Sequence, residues 1–176
     1  KAIENGKVKL DDYPVVDLIL GLERYQPSAV RFYKTFTPTM QQKISGYVNH
    51  GGRMLVSGAY VATDMSDADD VNWLQHTFHL MPGGPVRTDS INGINGMGLS
   101  GIDFCRQLNP KQYAVQQADC LLADAPAACV MQYADGASAA VGYDGNDYKT
   151  LVMGFPFESI CDGGIRANIM RGILAF

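Results

Sequence analysis

Charge is scarce in this chain, and none of it is concentrated. Charged residues make up 18% of the 176 positions, the net charge is −4, and the fourteen Lys and Arg are scattered. Binding to nucleic acid needs clustered cations facing phosphates, so that partner class is excluded. Long apolar runs are also missing. None approaches the roughly 20 residues of a membrane-spanning helix, so no membrane insertion is expected. The four cysteines, Cys105, Cys120, Cys129 and Cys161, form no Cys-x-x-Cys pair, which excludes zinc-ribbon and thioredoxin-type motifs. A Cys120–Cys129 disulfide stays open if adjacent strands carry them; buried free thiols are the competing reading. No internal repeat, low-complexity tract or signal peptide is visible. The chain begins at Lys1 and stops at Phe176 inside a helical pattern, so it reads as a fragment of a longer multidomain protein.

What is present is an ordinary apolar content of 47%, enough for one domain over 1–176 with a single core. Val15 to Gly21 is a short, almost unbroken apolar run of the kind found in buried parallel strands. Residues 23–36 read as an irregular loop. Thr37-Pro38 then starts a helix, Thr as N-cap and Pro in its first turn. Met40, Ile44, Tyr47 and Val48 recur at helical spacing, and Gly51-Gly52 stops it. Arg53 to Gly58 is a second buried strand, completing a strand–helix–strand unit. A helix follows over 71–80, ended by Pro82-Gly83-Gly84. From Val86 to Tyr143, strand-like runs alternate with Gly, Asn, Asp and Pro turns, which predicts antiparallel hairpins. Lys149 to Phe155 is another buried strand, and Ile165 to Phe176 closes the chain as a helix.

Three segments, YPVVDLILGLE (13–23), FTPTMQQKISGYVNHGGRMLVSGAYVATD (36–64) and YKTLVMGFPFESI (148–160), together resemble a glutamine-amidotransferase-like, flavodoxin-like domain. Such domains occur in secreted proteins of Bacteroidetes-type bacteria labelled xanthan lyase. The resemblance implies an α/β fold, a three-layer, mostly parallel sheet with flanking helices, with the hairpins of 86–143 added to it. It also implies an extracellular or cell-surface location, and neighbouring domains and polysaccharide as partners.

Class I amidotransferases attack an amide with the Cys of a Gly-x-Cys-x-Gly turn, helped by a His-Pro-Glu on a later strand. Here the turn is Ser57-Gly58-Ala59-Tyr60-Val61, and the later strand ends Gly154-Phe155-Pro156-Phe157-Glu158. Cys and His are both absent, so glutaminase activity is not expected and the resemblance implies a pseudoenzyme. Ser57 lacks the Gly-x-Ser-x-Gly elbow and reads as a small residue bonding backbone at a strand end.

Ligands of open α/β sheets gather beyond the carboxyl ends of the strands. That edge should collect Glu23, Ser57, Tyr60, Asp64 and Glu158, with Glu23, Tyr60, Asp64 and Glu158 as ligand-binding residues. Alternatively, it packs against a neighbouring domain. His76 and His79 share a helical spacing but make an incomplete metal site. His50 suits a helix C-terminus. Asp64, Asp67, Asp69 and Asp70 lack calcium-loop spacing and read mainly as a solvated cap. The glycines of INGINGMG lack the context of a phosphate loop. No cofactor and no metal are expected. The leading expectation is a non-catalytic scaffolding or binding domain associated with cell-surface polysaccharide. The alternative is a polysaccharide lyase or hydrolase using Glu23, Tyr60 and Glu158.

Overall fold

The computed structural model of the chain describes residues 2–29, 34–106 and 113–175. Among these are nine strands and three α-helices. The first crossover is β1 (Val15–Gly21), α1 (Pro38–Asn49) and β2 (Arg53–Gly58). Thr37 caps α1 by accepting the Met40 N–H, with Pro38 in the first turn, where its missing N–H costs nothing. Next come α2 (Ala68–Phe78), β3 (Leu80–Val86), β4 (Ser90–Gly93), β5 (Asp103–Cys105) and β6 (Ala118–Ala123). The chain ends with β7 (Ala128–Tyr133), β8 (Ser138–Asp144), β9 (Lys149–Met153) and α3 (Gly163–Ala175).

Seven strands form one sheet in the order β1-β2-β9-β8-β7-β4-β5, while β3 and β6 pair separately. Only β1, β2 and β9 run parallel; β9-β8, β8-β7, β7-β4 and β4-β5 are antiparallel. The expected three-layer, mostly parallel fold of amidotransferase type is therefore corrected to a strand-rich mixed sheet with few helices. The physical reason lies downstream of α2. Short turns join the runs there, and a short turn returns a strand antiparallel to its predecessor. These hairpins also continue the main sheet rather than decorating it.

Both faces of the central strands are buried. Along β2, Met54 and Val56 join a core with Ile44 and Val48 of α1, Leu74 and Phe78 of α2, and Val152 of β9. Leu55, between them, joins a second core with Leu151, Met153 and Phe155, covered by Ile169 and Ile173 of α3. Two-residue alternation between two apolar environments is what makes the strand read as an unbroken apolar run. Each fully buried Leu or Ile stabilises the fold by roughly 1.5–3 kcal/mol.

Pro82-Gly83-Gly84 does not end a helix. β3 runs through it, with its register against β6 shifting between Pro82 and Pro85. α2 stops earlier, at His79, whose backbone is left-handed with φ 51°. Trp73, partly buried, packs against the core: its ring lies on Phe36 and Phe78, and its N–H donates to Ser45. All four cysteines are free. No helix among the described residues is long and apolar enough to cross a membrane.

Candidate functional site

The carboxyl ends of β1 and β2 lead into two loops that Thr35 ties together. Its hydroxyl lies within bonding distance of the Glu23 and Tyr60 carbonyls and of the Asp64 carboxylate, at 2.9, 3.3 and 2.9 Å. Asp64 also accepts the Thr35 and Tyr25 N–H groups, both at 2.8 Å. Glu23 and Tyr60 thus meet Asp64 through their backbones. The Tyr60 ring carries the Arg24 guanidinium 4.7 Å above it. Beside this knot lies a cleft of about 400 Å³ lined by Tyr25, Lys34, Thr63, Asp64, Ser66 and Asp67. Lys34 is paired with Asp70 and, at 3.5 Å, with Asp67. Burial pulls its pKa down, but the two carboxylates outweigh that and hold it above its ordinary value.

The turn over residues 59–64 is held from below by Asp119 of β6. One carboxylate oxygen accepts the N–H groups of Ala62 and Thr63 at 2.7 and 2.9 Å, and the other accepts the Thr63 hydroxyl at 2.7 Å. Asp119 is fully buried. Burial pushes its pKa up to about 6, against those three hydrogen bonds, which pull it down. Gly154 makes room for this strand: a side chain there would run into the Asp119 carbonyl.

Glu158 lies elsewhere on the same edge, in a 3-10 turn over Phe157–Ser159 that packs on β1. Tyr113 donates its hydroxyl to one Glu158 oxygen, and the other oxygen is buried without a partner. Burial and the Glu158 carboxylate both push the Tyr113 pKa up. Desolvation, then the charge of Glu158, raises Asp17 of β1. Gly21 is obligatory here: its φ is +57°, and an added Cβ would sit 3.0 Å from the Tyr113 oxygen and 3.3 Å from Glu158. Ser57 is fully buried and its hydroxyl has no partner, so the expected bond to backbone is absent.

The structure therefore brings Glu23, Tyr60 and Asp64 together at Thr35, sets Glu158 beside Tyr113 and Asp17, and buries Ser57 under the sheet face. His76 and His79 do not act as a helical pair, because His79 leaves the helix and bonds the Tyr148 hydroxyl at 3.1 Å. Among the described residues no group of three or more His, Cys, Asp or Glu could hold a metal ion. Sequence reasoning missed Lys34, Thr35, Tyr113 and Asp119. An Asp directly before the apolar run Cys120-Leu121-Leu122 was the one available signal, for Asp119.

No family model matches the chain, and no curated protein matches it. Solved structures do. A β-galactosidase from Rahnella sp. R3 superposes with TM-score 0.60 at 14% identity, over 96% of this chain and 23% of the enzyme. One from Bacillus circulans sp. alkalophilus gives 0.61 at 12% identity, over 96% and 23%. A cytoplasmic protein from Salmonella typhimurium gives 0.57 at 13% identity, over 95% of this chain and 72% of that protein. These likenesses are of fold. The chain spans less than a quarter of the length of the β-galactosidases it matches. They overturn the expected kinship with amidotransferase-like, xanthan-lyase-labelled domains, and with it the reading as an amidotransferase pseudoenzyme.

Proposed function

We propose that the chain works as a domain of a larger carbohydrate-active enzyme and holds a saccharide at the carboxyl edge of β1 and β2. The observation that carries this reading is the cleft beside Asp64. Its lining combines hydroxyls, carboxylates and an ammonium with the exposed ring of Tyr25. Sugars are recognised by that mixture: carboxylates and hydroxyls bond vicinal hydroxyl groups, and an aromatic face packs on the C–H side of the ring. The fold shared with domains of β-galactosidases supports the substrate class. Asp64 is the structural floor of the cleft, since its oxygens are taken by Thr35 and Tyr25. Ser66 and Asp67 stand at its rim, both exposed, and are the groups left to meet a ligand.

The test is calorimetric titration of the chain with galactose-, glucose- and uronate-containing oligosaccharides. Saturable binding weakened at least tenfold by Asp67→Asn and by Ser66→Ala is the expected result. Absence of binding across the series overturns the reading.

A second reading, catalysis by this chain itself, is favoured by the Asp17–Glu158 pair. A raised carboxyl group beside a carboxylate is an acid and base combination suited to glycoside cleavage or elimination. Release of reducing ends from a bound oligosaccharide, abolished by Glu158→Gln with binding intact, would select it; binding without turnover rejects it.

A further inference from the structure

β1 is the outermost strand of the seven-stranded sheet, and among the described residues no strand lies against its outer side. Free edges are ordinarily blunted by lysine, by proline within the strand, or by a cover. β1 reads Val-Val-Asp-Leu-Ile-Leu-Gly, seven residues without a cation. Its bulge comes only near the end, between Ile19 and Gly21. Apolar side chains gather along it: Ile19 is 51% exposed and Leu22, just beyond the strand, 40%. In the middle sits Asp17, exposed, on the same face as Ile19, and in the field of Glu158. Neither carboxylate has a cation within ion-pair distance among the described residues. The edge thus offers backbone hydrogen-bonding groups, an apolar strip and the exposed Asp17 carboxylate in one line.

We propose that the free edge of β1 is an interaction surface for an extended polypeptide segment that adds as a further strand and sets a Lys or Arg against Asp17. Side chains of an added strand stand beside those of the residues they face, on the same side of the sheet. The residue facing Asp17 is therefore the basic one. The residues facing Val16, Leu18 and Ile19 are apolar, because Val16 and Leu18 border the core beneath α1 and Ile19 is bare. Backbone pairing supplies affinity, and the basic residue fixes the register against a slip that would carry its charge onto the apolar face. A metal ion is the weaker occupant, since one exposed carboxylate is several ligands short of an all-protein cage.

The test uses fluorescein-labelled peptides of Val-Lys-Val-Val repeated twice, and the same peptide with Glu for Lys, read by anisotropy at physiological salt. The Lys peptide should bind saturably and the Glu peptide should not. Asp17→Lys should weaken the Lys peptide at least tenfold and admit the Glu peptide. Asp69→Lys, an equal charge change at an exposed helical position, should do neither. N-methylation of alternate peptide nitrogens should abolish binding. The proposal is overturned if no saturable binding appears, if Asp69→Lys acts like Asp17→Lys, or if N-methylation is harmless. Self-association of the chain in sedimentation, removed by Asp17→Lys, would assign the edge to a second copy and overturn it equally.

Discussion

Removing the Asp119 carboxylate should loosen the turn over residues 59–64, and the cost depends on what replaces it. In Asp119→Ala, the N–H groups of Ala62 and Thr63 lose their acceptor, and Ala62 is fully buried. A buried donor left unsatisfied costs about 1–3 kcal/mol, so two donors and the Thr63 hydroxyl together should cost roughly 3–5 kcal/mol. Asp119→Asn keeps the geometry. Its carbonyl oxygen accepts both N–H groups, and its amide donates to the Thr63 oxygen. The penalty should be about 1 kcal/mol or less at pH 4, where the native carboxyl is itself protonated. The two substitutions also separate in pH. The folded state raises Asp119 from 3.8 to about 6, so between those values the native protein holds a proton that the unfolded chain has released. That contribution is fully present below about pH 4 and is lost as pH rises through about 6. At 1.36 kcal/mol per pK unit, the stability of the native protein relative to Asp119→Asn should fall by about 2–3 kcal/mol from pH 4 to pH 7. Urea unfolding at pH 4, 5, 6 and 7 on all three proteins reads this directly. A difference that stays level or grows with pH refutes the claim that burial outweighs the three hydrogen bonds. Equal stability of the Ala and Asn variants refutes the clasp.

Arg106→Met should destabilise the fold by about 3–5 kcal/mol in the same urea assay, because a fully buried guanidinium bonds the carbonyls of Thr88, Val115 and Arg87 and pairs with Asp89. Asp64→Ala should free the loop around Tyr25, seen as faster proteolytic nicking within residues 22–29, whereas Asp67→Ala, at a side chain that caps nothing, should leave the rate unchanged. Thr37→Ala should cost about 1 kcal/mol and Thr37→Ser little, since the cap of α1 needs only the hydroxyl. Gly21→Ala should shift the absorbance titration of Tyr113 as well as stability, because the added methyl meets that hydroxyl and Glu158.

The pieces legible in the sequence were those specified by neighbours a few residues apart. Thr37-Pro38 and the spacing of Met40, Ile44, Tyr47 and Val48 mark α1, and the run from Met54 to Ser57 marks a strand buried on both faces. Partnerships over long separations were not legible. Nothing local tells Asp119 that its acceptors are Ala62 and Thr63, or Thr35 that it will join two loops. Strand directions agree with the local reading, parallel for β1, β2 and β9 and antiparallel within 86–143, but how the hairpins join the sheet is set by distant pairings. The hairpins therefore continue the main sheet through β8 beside β9, which no local pattern announces. Pro82-Gly83-Gly84 reads locally as punctuation, although an edge strand with a shifted register tolerates both residue types.

The order of strands carries a consequence for how the chain reaches this state. β9 inserts between β8, its neighbour in sequence, and β2, from which it is separated by everything from α2 through β8. The β7–β8–β9 side closes over short turns and can form early; the β2–β9 seam must wait for a long loop to close, and the entropy of that closure opposes it. The acidic corner is assembled across that seam, since Glu158 follows β9 and Asp17 lies in β1, beyond β2. Until it zips, β2 and β9 each present an apolar edge to any other chain nearby. Assembly of the acidic corner and escape from aggregation are therefore the same kinetic event, and the concentration dependence of refolding yield should track the rate at which that single seam closes.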